Sequence, residues 1–224
     1  MLLASILHWR RFRQRPGMWL FHIALAVLII GFVMAPLLQA KGYFELAEGQ
    51  TFKGGFIFFH TGAFGPGSPP RWQLLQGPIT AHYTRATIGH RIESSLTDQR
   101  QQQQLPIRFL EAVMLNGYRI EPTGNMGYAA VLSYRAPDGT VQRGVVNFPA
   151  YPNLRNKQKN QFYQPADRWI AAELVMPNPP YRQDRPWSLE LPSVYHLKLR
   201  YNKQTFKLRP GKEIKLGKGR LRLD

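Results

Sequence analysis

The sequence predicts an all-β exported domain, an antiparallel sandwich or barrel, behind one N-terminal transmembrane α-helix. Three observations predict this fold class. Residues 18–40 form a continuous apolar run, residues 41–224 contain short runs of alternating apolar and polar residues separated by Gly- and Pro-rich turns, and the chain has no cysteine. Residues 1–17 are basic and amphipathic. These boundaries predict a cytoplasmic segment, a membrane span and a periplasmic β-rich domain.

The apolar run is long enough to cross a bilayer, since about 20 helical residues cover the hydrocarbon core. Several arginines and no acidic residue precede it, and short basic flanks stay in the cytoplasm. We therefore expect a bacterial inner-membrane protein with a cytoplasmic N-terminus and a periplasmic C-terminal domain. A signal peptide has a shorter apolar core and a small-x-small cleavage site, so an uncleaved anchor is favoured. Pro16-Gly17 is expected to separate the span from the preceding segment.

Composition narrows the classes of function. The absence of cysteine excludes covalent haem attachment through CxxCH, dithiol chemistry and cysteine-bound metal. The net charge of +17 would favour nucleic acid in a cytosolic protein. Behind a membrane anchor it favours anionic lipid headgroups, acidic protein surfaces or anionic small molecules instead. Towards the end of the chain, Leu197 and Leu199 alternate with Lys198 and Arg200, which predicts strands with one solvated basic face.

The exported region contains several local predictions of structure. Residues 42–62 predict short strands separated by glycine turns, and Pro66 to Pro70 predicts a loop. The polar stretch from Thr97 to Pro106 predicts a loop that divides the domain. Asp138-Gly139, between two β-rich runs, predicts a tight hairpin. Ala166 to Val175 predicts a helix that Pro177 ends.

Residues that carry chemistry are few. The chain has no HExxH, GxSxG, P-loop or GxGxxG motif, and its acidic residues are scattered, so an enzyme is not expected. Met126, in a turn-like "TGNMG", is either a haem ligand or a loop or core methionine. His82 and His90 would share one face of an uninterrupted strand. Structural roles are favoured over a metal site for the exported histidines, which are His60, His82, His90 and His196.

His22 lies within the apolar run and is the candidate binding residue. Ionisable groups inside a membrane usually face a bundle interior or a functional site. His22 follows Met18 by one helical turn, about 6 Å into the inner leaflet, so its ring can also reach water beside Trp19. Ligation and snorkelling therefore both remain open. The opposite side of the helix carries a stripe of small residues that favours helix packing: Ala24, Gly31 and Ala35.

Two stretches resemble the ResB (CcsB) family of cytochrome c biogenesis proteins. "FHIALAVLIIGFVMAPLLQAKGYFELAEGQTF" is similar to the family's third transmembrane helix and the segment after it. Residues 115–164 are similar to its later β segment, with a DG hairpin, and the resemblance spans about Met18 to Gln164. The matching positions are His22, Gly31, Gly42, Glu48-Gly49-Gln50, Val146-Asn147-Phe148-Pro149 and Phe162-Tyr163-Gln164.

The resemblance implies a part in System II cytochrome c maturation, where ResB and CcsA carry haem b across the membrane to apocytochrome c. It implies that His22 is an axial ligand of a transiently bound haem. A single helix would form one wall of that site, so a CcsA-like haem-handling membrane protein and apocytochrome c are the implied partners. From the residues alone, the alternative is a non-catalytic scaffold subunit of an inner-membrane cytochrome or respiratory complex whose basic domain docks an acidic partner.

Overall fold

The computed structural model describes residues 16–86, 91–123, 126–151, 158–164, 168–177 and 180–224. It confirms the predicted fold class, because the chain is mostly antiparallel β-sheet with one N-terminal apolar helix. The chain divides into two compact units. The first contains the helix, continues to Phe44 and includes Gly54–Arg71, and the second contains Glu45–Lys53 and Trp72–Asp224.

Helix α1 extends over Pro16–Leu38. Pro16 occupies the first helical position, where its missing N–H would have no partner within the helix anyway. Pro16-Gly17 therefore begins the helix, and the basic segment before it lies outside the described residues. The helix is about 35 Å long at 1.5 Å per residue. It is apolar enough to cross a membrane, and none of its residues is buried. A helix of this kind is a membrane anchor or a signal sequence.

A two-stranded ribbon follows α1 in the first unit. Strands β1 (Ala40–Tyr43) and β3 (Phe58–Thr61) pair antiparallel, with Gly42 opposite Phe59. A Cβ on Gly42 would lie 2.9 Å from the carbonyl oxygen of Phe58 and within about 3.1 Å of two phenylalanine rings. Such contacts are closer than van der Waals packing permits, so only glycine fits here.

The segment after the ribbon bonds to the end of α1. The amide of Phe64 donates to the carbonyl of Leu37 at 2.8 Å, and the amide of Gly62 donates to that of Gln39 at 2.9 Å. The last carbonyls of a helix have no intrahelical donor, so these bonds supply missing partners. Helix end and ribbon are therefore one hydrogen-bonded structure.

The second unit contains three sheets and a hairpin. Sheet I has the order β14-β5-β6-β4-β2, with β7 also paired to β6. Its strands are β2 (Thr51–Phe52), β4 (Leu74–Gln76), β5 (Thr80–Tyr83), β6 (Arg91–Asp98), β7 (Gln103–Arg108) and β14 (Trp187–Ser188). Strands β8 (Val113–Leu115) and β9 (Tyr118–Ile120) form the hairpin. A core cluster of Ala81, Tyr83, Ile92 and Trp187 lies in this region, where the Tyr83 and Trp187 rings stack with centroids 4.2 Å apart.

Sheets II and III each have four antiparallel strands. Sheet II has the order β11-β10-β18-β17 and sheet III the order β12-β13-β15-β16. Sheet II comprises β10 (Met126–Arg135), β11 (Val141–Tyr151), β17 (Glu213–Leu216) and β18 (Gly219–Leu223). Sheet III comprises β12 (Gln158–Gln164), β13 (Arg168–Val175), β15 (His196–Tyr201) and β16 (Gln204–Leu208). Side chains from both sheets form one buried cluster, which includes Leu132, Phe148 and Leu221 of sheet II and Ile170, Leu197 and Leu199 of sheet III.

The predicted helix from Ala166 to Val175 is wrong. From Arg168 onwards this stretch is strand β13, paired on both sides by β12 and β15. Its burial alternates, because Ile170, Ala172 and Leu174 are buried while Trp169 and Ala171 are exposed. Alanine, leucine and glutamate are among the residues that favour helices most, but intrinsic propensity is a weak determinant of structure, and pairing with two neighbouring strands overrides it.

The predicted loop from Thr97 to Pro106 is also wrong. Strand β6 continues to Asp98, and β7 returns from Gln103 directly opposite it. The buried carboxylate of Asp98 accepts bonds from the amides of Arg100 and Gln101 and so closes a tight turn. The glutamine-rich stretch therefore forms a hairpin, with Leu105 and Ile107 of β7 buried.

The hairpin predicted at Asp138-Gly139 is confirmed. It joins β10 to β11, and Gly139 has the positive φ of 86° that such turns need. The amide of Thr140 donates to the Asp138 carboxylate at 2.9 Å, and this bond lowers the pKa of Asp138. The loop predicted from Pro66 to Pro70 also lies outside the strands.

Candidate functional site

His22 lies on α1, one turn after Met18. Its Nδ1 is 2.7 Å from the carbonyl oxygen of Met18, and its ring meets that of Phe21 edge-on, with centroids 5.6 Å apart. The side chain is half-buried. These contacts hold the imidazole along the helix towards its N-terminus, which is the direction that helical side chains prefer.

The bond to Met18 determines which ring nitrogen can act as a ligand. A carbonyl oxygen only accepts, so Nδ1 carries the proton and donates it. In the neutral ring the lone pair then resides on Nε2. A ligating histidine commonly donates its second nitrogen to a backbone carbonyl in this way, because the bond fixes the tautomer and ring orientation. A haem bound beside this residue would be held through Nε2 of His22.

The two sides of α1 differ as the sequence predicts. At about 100° per residue, Ala26 and Ile29 share the side of His22, whereas Ala24, Gly31 and Ala35 lie opposite. A Cβ built on Gly31 would meet no described atom within 4 Å. The small-residue stripe is therefore open, and a second helix could approach it closely.

The histidines of the β-rich part that the structure describes lie on three different strands. His60 is exposed on β3, and His196 is half-buried on β15. His82 on β5 bonds through Nδ1 to the Ser188 hydroxyl at 2.7 Å, which gives it a structural partner. His90, and with it the predicted shared face with His82, lies outside the described residues. Within the described parts of the chain, no three His, Cys, Asp or Glu side chains form a group that could hold a metal.

Met126 begins β10 and packs, partly buried, against the Tyr83–Trp187 cluster. Its surroundings are those of a core methionine, which fills space among aromatic rings. The structure thus gives Met126 a packing role.

Glu48-Gly49-Gln50, the first motif of the family resemblance, forms a turn that is held by hydrogen bonds. Gly49 has a φ of +75°, which favours glycine, and its amide donates to the Gln76 carbonyl. The Glu48 carboxylate accepts from the Ile79 amide at 2.6 Å, and the Gln50 side chain accepts from the Ala47 amide at 3.0 Å. Gly49 and Glu48 therefore attach the turn to β4 and to the residue before β5, and the Gln50 side chain closes the turn itself.

Val146-Asn147-Phe148-Pro149, the later motif of the family resemblance, links distant parts of the second unit. Val146 and Phe148 are buried in the shared core of sheets II and III. Between them, the side-chain amide of Asn147 donates to the Glu45 carboxylate at 3.2 Å. The side-chain amide of Asn160 donates to the backbone carbonyl of Asn147 at 2.6 Å. Asn147 thus connects β11 both to β12 and to the segment that enters the second unit.

The aromatic residues of one exposed face are missing from the sequence predictions, although the alternation in β15 predicted its basic residues. The outer face of sheet III carries Tyr163 and Trp169, whose rings meet 5.5 Å apart, beside exposed basic residues of β15 and β16. Assigning Ala166 to Val175 as a helix concealed this face. The alternation of Ile170, Ala172 and Leu174 with Trp169 and Ala171 was the available indication of a strand.

Comparison with models of known families, with curated proteins and with solved structures found no match for this chain.

Proposed function

We propose that the chain is a membrane-anchored, ResB-like accessory protein of cytochrome c maturation that assists haem delivery. The observation that carries the proposal is the Nδ1 bond from His22 to the Met18 carbonyl on an exposed apolar helix. In the neutral ring this bond leaves the lone pair on Nε2, the atom that would bind haem iron.

The bonds at the end of α1 support an anchor over a cleaved signal sequence. A signal peptide would be removed near Ala40, yet Gly62 and Phe64 bond to carbonyls on both sides of Leu38. Cleavage would strip the ribbon of these partners. Exposed aromatic side chains also lie on the ribbon and in the segment that bonds to this helix end, as is common at membrane interfaces: Tyr43, Phe58 and Phe64. We place the helix in the bacterial inner membrane, with its N-terminus in the cytoplasm and the β domain in the periplasm.

The chain performs no bond chemistry in this proposal. Haem supplies the iron that Nε2 of His22 would bind, and apolar residues on that side of α1, such as Ala26 and Ile29, would line one wall of the site. The remaining wall would come from a CcsA-like haem-handling protein. The open stripe at Gly31 offers a surface for helix packing against such a partner. Apocytochrome c is the proposed recipient.

The test is a haem titration of the full-length chain in detergent, with and without its membrane partners. We expect a Soret band for the native chain that His22→Ala loses and that free imidazole restores, because imidazole can fill the vacated ligand position. His82→Ala is the matched control, since His82 already bonds to Ser188, and it should keep the band. A Soret band that is unchanged by His22→Ala, or absent from both proteins, would exclude His22 as the ligand.

The second candidate function is a scaffold subunit of an inner-membrane cytochrome or respiratory complex. The observation that favours it is the exposed basic face of sheet III, which suits an acidic partner. This function needs no haem, so complex assembly would survive His22→Ala and fail when the basic face is neutralised. Co-purification of the complex from membranes carrying each variant distinguishes the two functions.

A further inference from the structure

The outer face of sheet III has a regular arrangement of side chains. Inner positions such as Leu197 and Leu199 are fully buried, so alternate residues point outwards. Strand register then aligns the outward residues in rows across the sheet. One row contains Lys159, Glu173, Lys198 and Lys207; the next contains Gln161, Ala171, Arg200 and Thr205; the last pairs Tyr163 with Trp169.

The basic residues of these rows are poorly compensated. Lys198 lies directly opposite Lys207, an arrangement of like charges that destabilises a sheet. Glu173 is the only carboxylate in the three rows. Among the described residues, no ion pair includes Lys159, Lys198, Arg200 or Lys207. An anionic partner would relieve the repulsion that the fold retains here.

An open cleft of about 490 Å³ extends the same face. Four of its lining side chains carry basic or titratable nitrogen groups, namely His196, Lys207, Arg209 and Lys212. None of the described residues that line the cleft carries a carboxylate. Burial, together with the charges of Lys207 and Arg209, lowers the pKa of His196. The cleft is thus electropositive and has the size of a small-ligand site.

The opposite end of the face is aromatic. Trp169 is 61% exposed and Tyr163 is 54% exposed, although each carries a large apolar ring. Tryptophan and tyrosine are enriched where proteins meet the headgroup level of a bilayer, because one part of the ring is apolar and another is polar. Basic rows and aromatic pair together have the composition of a headgroup-binding surface.

We propose that the outer face of sheet III, with its cleft, binds the phosphate groups of anionic phospholipids in the bilayer that α1 spans. Three of the four cations in the rows are lysines, which protein–protein interfaces disfavour and headgroup-binding surfaces use. The chain between Leu38 and Glu45 can extend at most about 25 Å, so covalent attachment limits how far Glu45 can lie from the end of α1. The inference rests on the anchoring part of the proposed function and not on haem binding.

The test uses the full-length chain in lipid nanodiscs of phosphatidylcholine, with or without phosphatidylglycerol. The chain has no cysteine, so one introduced cysteine can carry a polarity-sensitive fluorophore. Ala171→Cys places the label on sheet III, and Val131→Cys places it at a comparable outward position on sheet II. We expect a phosphatidylglycerol-dependent blue shift at position 171 that is absent at position 131 and is lost at high salt.

Neutralising the lysine pair tests the chemistry. In the labelled Ala171→Cys chain, Lys198→Gln with Lys207→Gln should lower the ratio of docked to undocked protein about 30-fold, since each lysine near an anionic surface contributes roughly a factor of five. Lys215→Gln with Lys218→Gln, on the β17–β18 hairpin of sheet II, is the charge-matched control and should leave that ratio unchanged. Far-UV circular dichroism establishes that both variants are folded.

Four outcomes would overturn the proposal. They are no phosphatidylglycerol-dependent shift at position 171, an equal shift at position 131, a shift produced by inorganic phosphate in phosphatidylcholine discs, or a shift produced by polyglutamate alone. The third would indicate a site for soluble anions, and the fourth a protein-docking surface. A chain that does not enter nanodiscs would instead contradict the anchor, so the two failures are distinguishable.

Discussion

Sheets II and III have the same architecture but opposite outer faces. Both have four antiparallel strands and both contribute to one core. On sheet II, Arg143 and Arg222 lie within 3.4 Å of the Asp224 carboxylate, and Arg220 lies 3.7 Å from Glu213. On the outer face of sheet III, none of the cations in the three rows forms an ion pair with any described residue. The comparison teaches that burial dictates the inner faces, whereas the outer faces are free to carry function.

The largest effects are expected where the two sheets are equivalent. Leu199 of sheet III and Leu221 of sheet II are both buried in the shared core. Leu199→Ala and Leu221→Ala should each lower the free energy of unfolding by about 2–5 kcal/mol, because each leaves a cavity. Urea unfolding of the full-length chain, followed by tryptophan fluorescence, measures this. Val131→Ala, at an exposed site of sheet II, should change it by less than about 0.5 kcal/mol. A sheet that unfolds separately in one variant would contradict a common core.

Changing one charged residue should lower the free energy of unfolding on the outer face of sheet II and raise it on the outer face of sheet III. Asp224→Asn removes the partner of two arginines and an acceptor for the Ser133 hydroxyl, and should cost about 1 kcal/mol. Lys207→Glu replaces a repulsive neighbour of Lys198 by an attractive one, and should stabilise by about 0.2–1 kcal/mol. Urea unfolding at low salt and at 1 M salt checks both, since screening should shrink both effects. Destabilisation by Lys207→Glu would mean that the lysine row is compensated after all.

The smallest effect concerns pH and belongs to sheet III alone. The pKa of His196 is lowered below its usual value, first by burial and then by Lys207 and Arg209. The unfolded chain therefore binds a proton at a higher pH than the folded chain does, and stability falls as the pH drops from about 6.5 towards the folded pKa. We expect His196→Gln to reduce the loss of stability between pH 7 and pH 5. His60→Gln, at an exposed site on β3, is the control and should leave the pH profile unchanged.

Local chemistry was sufficient for some features of the site and the fold. Helical periodicity alone, at about 100° per residue, places His22 on the opposite side of the helix from the stripe of Ala24, Gly31 and Ala35. The Asp138-Gly139 turn needs only a positive φ and an adjacent carboxylate. The bond between His22 and Met18 is also local, because one helical turn separates the two residues.

Other features depend on pairing between distant residues. Arg168 to Val175 has side chains that suit a helix, and its strand exists because β12 and β15 bond to its two edges. The hairpin of β6 and β7 depends on Leu105 and Ile107 finding a core. Lys198 and Lys207 become neighbours only through the register of β15 and β16. Alternation in the sequence predicts the two strands, but it does not specify which residues lie opposite one another.

The amino-acid sequence alone is enough to specify an apolar helix with a histidine in its first turns, an all-β region without disulfides, and a strongly basic charge. These properties follow from composition and short-range periodicity. Pairing between distant residues was needed to show that the segment after the β1–β3 ribbon is hydrogen-bonded to the helix end, and that four strands place lysines, Arg200 and an aromatic pair on one face. The physical reason is that strand pairing joins residues far apart in the chain, so its outcome depends on which strands bury their inner faces together.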